Sequence, residues 1–179
     1  MSITLRDSRI KRLCLDAMLL GVALMLSYLE TLLPLGAVLP LPGFRLGLAN
    51  LVVVAVFCLI SPIDALVVSA MRILIMGLLF GSVTSLYFSA LGGLCSFLML
   101  ILLSKIGRGC SYFGVSVLCA AAHNTGQIIA AVTLFGVSLI PSYLPALLIA
   151  SVIYGGMVGS LLNLCMPRLS ALFEGRGLR

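Results

Sequence analysis

The chain has 179 residues, 62% hydrophobic and 9% charged, with a formal net charge of +6 and a mean hydropathy of +1.28. Soluble domains carry about a quarter of their residues charged, so a water-soluble globule is excluded. Apolar runs recur along the whole length between short turns, the pattern of an all-α, polytopic protein whose solvent is the lipid bilayer. The basic residues sit at the ends of those runs and not on one solvated face, which argues against nucleic acid as a partner.

Residues 1–12 carry Arg6, Arg9, Lys11 and Arg12 and read as a basic cytoplasmic N-terminus. The next run, 13–33, is too long for a signal-peptide core and lacks a clear small-residue cleavage site, so it reads as a retained first span. Residues 34–45 form an apolar loop with three prolines and two glycines. That composition fits either a lid over a neighbouring site or a segment packed on the bundle. Further spans are expected at 46–60, 63–80, 85–104, 111–134 and 143–166, giving a six-helix membrane domain over 13–166. The second and third are short and, at about 1.5 Å per residue, barely cross a bilayer core. Between them, "SPID" at 61–64 is a helix start, with Ser61 as N-cap, Pro62 at the first helical position and Asp64 in a capping position. Residues 167–179 form a basic tail with Arg168, Arg176 and Arg179.

With six crossings, the N-terminus, Lys105 with Arg108, and the C-terminal tail share one side, while Arg45 is the basic residue of the opposite loops. The positive-inside rule then places both termini in the cytoplasm. Small residues at a spacing of four (Ala17 and Gly21, Gly77 and Gly81, Gly155 and Gly159) suit close helix contact. The six cysteines include no C-x-x-C pair and read as small hydrophobes, and with one histidine in the chain no metal site is expected.

An ionisable or amide side chain within the bilayer costs free energy unless it is partnered, so each such residue asks for a reason. Glu30 closes the first span, Arg45 lies in the outer loop after it, and Asn50 stands within about a turn of the start of the second. Arg72 lies roughly 12 Å into the third span from Asp64, and His123 roughly 18 Å into the fifth from Ser111. Ser89 is near the outer start of the fourth, and Asn124 and Gln127 follow His123 at helical spacing. Polarity gathered at one depth suggests a pocket opening outward; a network of hydrogen bonds tying helices together is the alternative. Arg72 finds its obvious carboxylate in Glu30, or else is left to grip an anionic group of a ligand.

There is no G-x-x-x-x-G-K-[ST], no paired-aspartate cluster, no Ser–His–Asp set and no H-E-x-x-H. Enzymatic chemistry by this chain alone is therefore unsupported and no cofactor is expected in it.

"ETLLP" (30–34), "RLGLAN" (45–50), Arg72 with Gly81, "FSALGGLCS" (88–96), "AAAHNTGQ" (120–127) and "YLP" (143–145) resemble the bacterial Gx transporter family, also named heptaprenyl diphosphate synthase component I. That family is in turn similar to the S components of energy-coupling factor (ECF) transporters, six-helix proteins of the bacterial cell membrane. The resemblance implies outer-side capture of a vitamin-like micronutrient, and the count of depth nominates Glu30, Arg45, Asn50, Arg72, Ser89, His123, Asn124 and Gln127 to line or support the site. It implies a transmembrane coupling protein and two cytoplasmic ATPases as partners, which supply the missing P-loop, and a gating role for the first outer loop. The small pair presented to the coupling protein would be Ala17 and Gly21. The second name implies instead a non-catalytic membrane component of heptaprenyl diphosphate synthesis. A self-sufficient ion-coupled carrier, with Glu30 or His123 as proton site, is a third reading.

Overall fold

A computed structural model describes residues 2–32, 47–106, 111–136 and 140–174. Among these residues it is all-helical, with α1 (Ser2–Leu32), α2 (Asn50–Leu59), α3 (Pro62–Phe80), α4 (Val83–Ile106), α5 (Tyr112–Phe135) and α6 (Ile140–Glu174). Five segments are long and apolar enough to cross a membrane: Ile10–Leu32, Pro62–Phe80, Val83–Ile106, Tyr112–Phe135 and Leu147–Ala171. The chain is a multi-pass helical membrane protein. Its outward faces are apolar, with Leu78 81% and Val83 85% exposed. In water such a surface would aggregate; against acyl chains it is matched.

Each expected span corresponds to an observed helix, with three main differences at the ends. Helix α1 is already helical at Ser2, so the basic stretch continues the first span as one helix. Helix α6 runs to Glu174 with Pro145 and Pro167 inside it. And α2 spans 10 residues, not the fifteen of 46–60, because Gly47 adopts φ +81°, a left-handed conformation that a helix cannot include. The proline-rich loop 34–45 lies outside the described residues.

Ser61 caps α3 as its spacing predicts, accepting from the Ile63 N–H at 3.2 Å, with Pro62 in the first turn. Asp64 does something the sequence does not announce. Its Oδ2 receives Arg12 Nε at 2.7 Å and lies 2.6 Å from Arg12 Nη2, joining α1 to the start of α3.

At about 15 Å, α2 reaches only half the thickness of a hydrocarbon core. Yet Val52 to Val56 are all buried, and a helix buried on every side lies inside the bundle. Val52, Val53 and Val56 pack with Ala23, Ala65, Val68 and Phe97, while Val54 and Ala55 pack with Leu100, Leu103, Val158 and Leu162. The stretch around α2 also joins the two ends of α1. The Leu48 N–H meets Glu30, and Asp64 meets Arg12. Arg12 and Glu30 stand about 27 Å apart along α1, so Leu48 to Asp64 traverses the same depth.

Helices α1 and α3 run the same way, since Tyr28 stacks near Phe80 at 5.1 Å while Arg12 meets Asp64. Helices α4 and α5 run oppositely, with Tyr87 beside Thr133, and so do α5 and α6, with Gly159 against Phe113. Lys11, Arg12, Lys105 and Arg168 therefore share one end of the bundle, and Glu30 belongs to the other.

Glycines set the closest helix approaches. A Cβ at Gly159 would stand 2.7 Å from Phe113 Cα and one at Gly155 2.8 Å from Val117 Cα, so the predicted small pair is the α5–α6 seam. A Cβ at Gly126 would strike the Leu91 carbonyl and Gly92 Cα, at the α4–α5 crossing. Gly126→Ala should consequently cost about 1–3 kcal/mol through overpacking. Gly21→Ala, where no described residue stands within 4 Å, should raise stability by about 0.5–1 kcal/mol, the helix preference of alanine over glycine. Thermal unfolding of both variants in detergent checks the contrast.

Candidate functional site

Helix geometry brings four of the sequence-nominated residues to one place. Glu30 on the last turns of α1, Arg72 midway along α3, Ser89 early in α4 and His123 midway along α5 line a single cavity, with Ser27 and Gly47 completing its polar rim. Ile73 and Met76 supply apolar wall. The cavity is small, about 10 Å³, which is room for roughly one water molecule. It lies at the end of the bundle away from Lys11, Arg12, Lys105 and Arg168.

Each group is held by a specific contact. Glu30 Oε1 accepts the Leu48 N–H at 2.6 Å, which ties the turn before α2 to α1. Arg72 Nη1 reaches the Ser27 Oγ at 3.5 Å. Gln127 Nε2 lies 3.1 Å from His123 Nε2. The imidazole lies flat against α4, where a Cβ on Gly92 would come within 2.7 Å of Cε1. Ser89 is 6% exposed and its Oγ has no hydrogen-bond partner among the described residues. A buried hydroxyl in that state is completed by water or by a ligand.

The other nominated residues lie elsewhere. Gln127 backs the site through His123. Asn50 opens α2 and lines a second cavity, between α2, α5 and α6. Asn124 faces α6, where its Nδ2 donates to the Leu147 carbonyl at 2.9 Å and the Ser151 Oγ at 2.8 Å. Arg45 lies outside the described residues. Ala17 is exposed and Gly21 half-buried, with no described residue within 4 Å of a Cβ placed on the glycine. Polarity is concentrated at the Glu30 end without being confined to it, since Ser96 and Ser116 are buried further along.

Sequence reasoning missed Ser27, which is 1% exposed and lies on the cavity. Its signal was available: Ser27 and Glu30 are three apart on one helix and so share a face. It also missed the meaning of Gly92, whose lack of a side chain makes room for the imidazole.

A multi-pass helical membrane protein with a compact polar chamber sunk into one end of its bundle is the class that this fold and site define. Within that class the sequence is specific: residues 19–165 match the family model of heptaprenyl diphosphate synthase component I, and the chain belongs to that family. No curated protein and no solved structure matches it.

The geometry separates two kinds of polar residue. Asn124→Ala should lower stability by about 1 kcal/mol, the usual worth of an interhelical hydrogen bond in a membrane. Because Asn124 points at α6, the same change should leave any solute held in the chamber in place. Thermal unfolding in detergent and mass spectrometry of the purified variant read the two quantities separately.

Proposed function

We propose that the protein is the solute-capturing membrane subunit, the S component, of an ECF-type transporter that takes up a vitamin-like or related small micronutrient. The observation that carries this reading is the gathering of Glu30, Arg72, Ser89 and His123 around one cavity inside an otherwise apolar bundle. Ionisable groups within a membrane protein mark ligand or ion pathways because lipid penalises them without such a purpose. Arg72 and His123 come from different helices, as in a site assembled for a ligand.

In this reading the chain crosses the bacterial cell membrane six times, α2 with its flanking turns being the short second crossing. The end bearing Lys11, Arg12, Lys105 and Arg168 is cytoplasmic by the positive-inside rule, so both termini are inside and the chamber faces out. The energy comes from two cytoplasmic ATPases acting through a transmembrane coupling protein. That protein docks on the uncovered face of α1 that carries Ala17 and Gly21. Small residues suit such close helix contact.

The family description favours a second reading, in which the chain is a non-catalytic membrane component that supports a soluble prenyltransferase. Being named a component already implies a partner. The two readings differ in where they need the chamber. Solute capture uses it directly, whereas support of a cytoplasmic enzyme leaves it without a task.

Purified protein should carry a small solute detectable by mass spectrometry. Arg72→Gln should reduce the amount retained at least tenfold, since a hydrogen bond to a charged group contributes about 1.5–3 kcal/mol. The binding reading fails if Arg72→Gln is folded and retains as much solute as the parent. Co-purification with a soluble prenyltransferase, and with no ATPase module, would decide for the second reading.

A further inference from the structure

The size of the chamber and the chemistry of its wall together define what it holds at rest. Helix α1 packs on α2 and α3, and α4 packs on α3 and α5. At the chamber, Ser27 and Glu30 of α1 share one small space with Arg72 of α3, Ser89 of α4 and His123 of α5. The spacing along each helix arranges this. Ser27 and Glu30 stand three apart, as do Ser89 and Gly92, and Arg72 and Met76 stand four apart, so each pair shares a helix face. Gly92 admits the His123 ring on the same face of α4 that carries Ser89. One occupant of the size of a water, in about 10 Å³, is therefore bordered by polar groups from four helices.

The wall discriminates among occupants of that size. Ser89 is 6% exposed, and its Oγ has no hydrogen-bond partner among the described residues. A hydroxyl buried without a partner has lost its bonds to water and gained nothing in return, which favours an occupant that bonds to it. A cation would share the space with the Arg72 guanidinium, and an anion would share it with the Glu30 carboxylate. Like charges held so close, away from bulk water, repel strongly. An apolar occupant would answer none of the polar groups. Water both donates and accepts, so it suits a wall that combines a carboxylate, a guanidinium and two hydroxyls. Buried waters make about three hydrogen bonds, and the polar side chains here suffice for that.

We propose that the chamber holds one ordered water, bound by the Ser89 hydroxyl and shared with polar groups of α1, α3 and α5, and that this water is part of the fold. It links α1 to α4 through a space that neither helix closes alone. The inference stands whether or not the chamber captures a solute. A solute that did enter would have to displace this water and take over its roles as donor and acceptor.

Crystals of the full-length, solute-free protein soaked in rubidium bromide test the occupant directly. The expected result is one solvent peak within hydrogen-bond distance of the Ser89 Oγ, with no anomalous signal from rubidium or bromide. An anomalous peak there would make the chamber an ion site, and a chamber without density would make it dry; either result overturns the inference. Thermal unfolding of Ser89→Ala in detergent reads the same question independently. Loss of a hydroxyl that holds a water should lower the midpoint by about 2–4 °C. In a dry chamber the same change removes an unsatisfied buried group and the midpoint rises. An unchanged or raised midpoint overturns the inference. Neither measurement depends on a solute being found, so the inference and the solute-capture reading fail separately.

Discussion

The bond from the Leu48 amide to Glu30 governs more of this molecule than its size suggests. Helix α2 begins after Ala49, an N-cap residue whose side chain has nothing to cap with. The first N–H groups of α2 are met by the preceding turn, Asn50 on the Gly47 carbonyl, Leu51 on that of Leu48 and Val52 on that of Ala49. Glu30 anchors that turn from another helix by accepting the Leu48 N–H. A carboxylate there also meets the favourable end of the α2 dipole, which offsets part of the cost of burying it. With this end of α2 fixed, Val52 to Val56 fall between the two halves of the bundle and Gly47 falls between the two cavities.

The arrangement explains how so apolar a chain tolerates its polar residues. Those that hold helices together are satisfied in pairs and triplets, as Asn124 is with Leu147 and Ser151, or Tyr87 with Thr133. Those around the cavity are each fixed by contacts from neighbouring elements. Glu30 holds a turn with one oxygen, and the His123 ring is positioned by Gln127 and by the bare backbone of Gly92. Side chains anchored from behind and presented to a small space are prepared for a guest, because little ordering remains to be done when it arrives.

Much of this was legible in the sequence, and the reasons it was or was not are physical. The span positions followed from apolar run length, and the α3 start followed from Ser61 and Pro62, because both signals are local. The convergence of Glu30, Arg72, Ser89 and His123 followed from counting depth along each helix, since rise per residue is nearly constant. Rotation about the helix axis was less legible. Residues one apart are turned by about 100°, so Asn124 points away from the side that His123 and Gln127 occupy and meets α6 instead. Pairings between distant segments, such as Arg12 with Asp64, and the second cavity walled by Cys119 and Tyr154 have no local signature at all. They exist only once the helices pack.

The placement of charge bears on which task the chamber serves. In the proposed orientation, a prenyl diphosphate approaching from the cytoplasm would be drawn to the end that carries Lys11, Arg12, Lys105 and Arg168, because these basic residues are exposed. The chamber lies at the other end, with Arg12 and Glu30 separated by about 27 Å along α1. Between the two ends stands the valine-packed interior around α2, built from apolar side chains among the described residues. A charged substrate would pay many kcal/mol to cross it. In the proposed orientation a partnership with a soluble synthase would therefore use the basic end, and the proposed solute capture would use the polar cluster at the other.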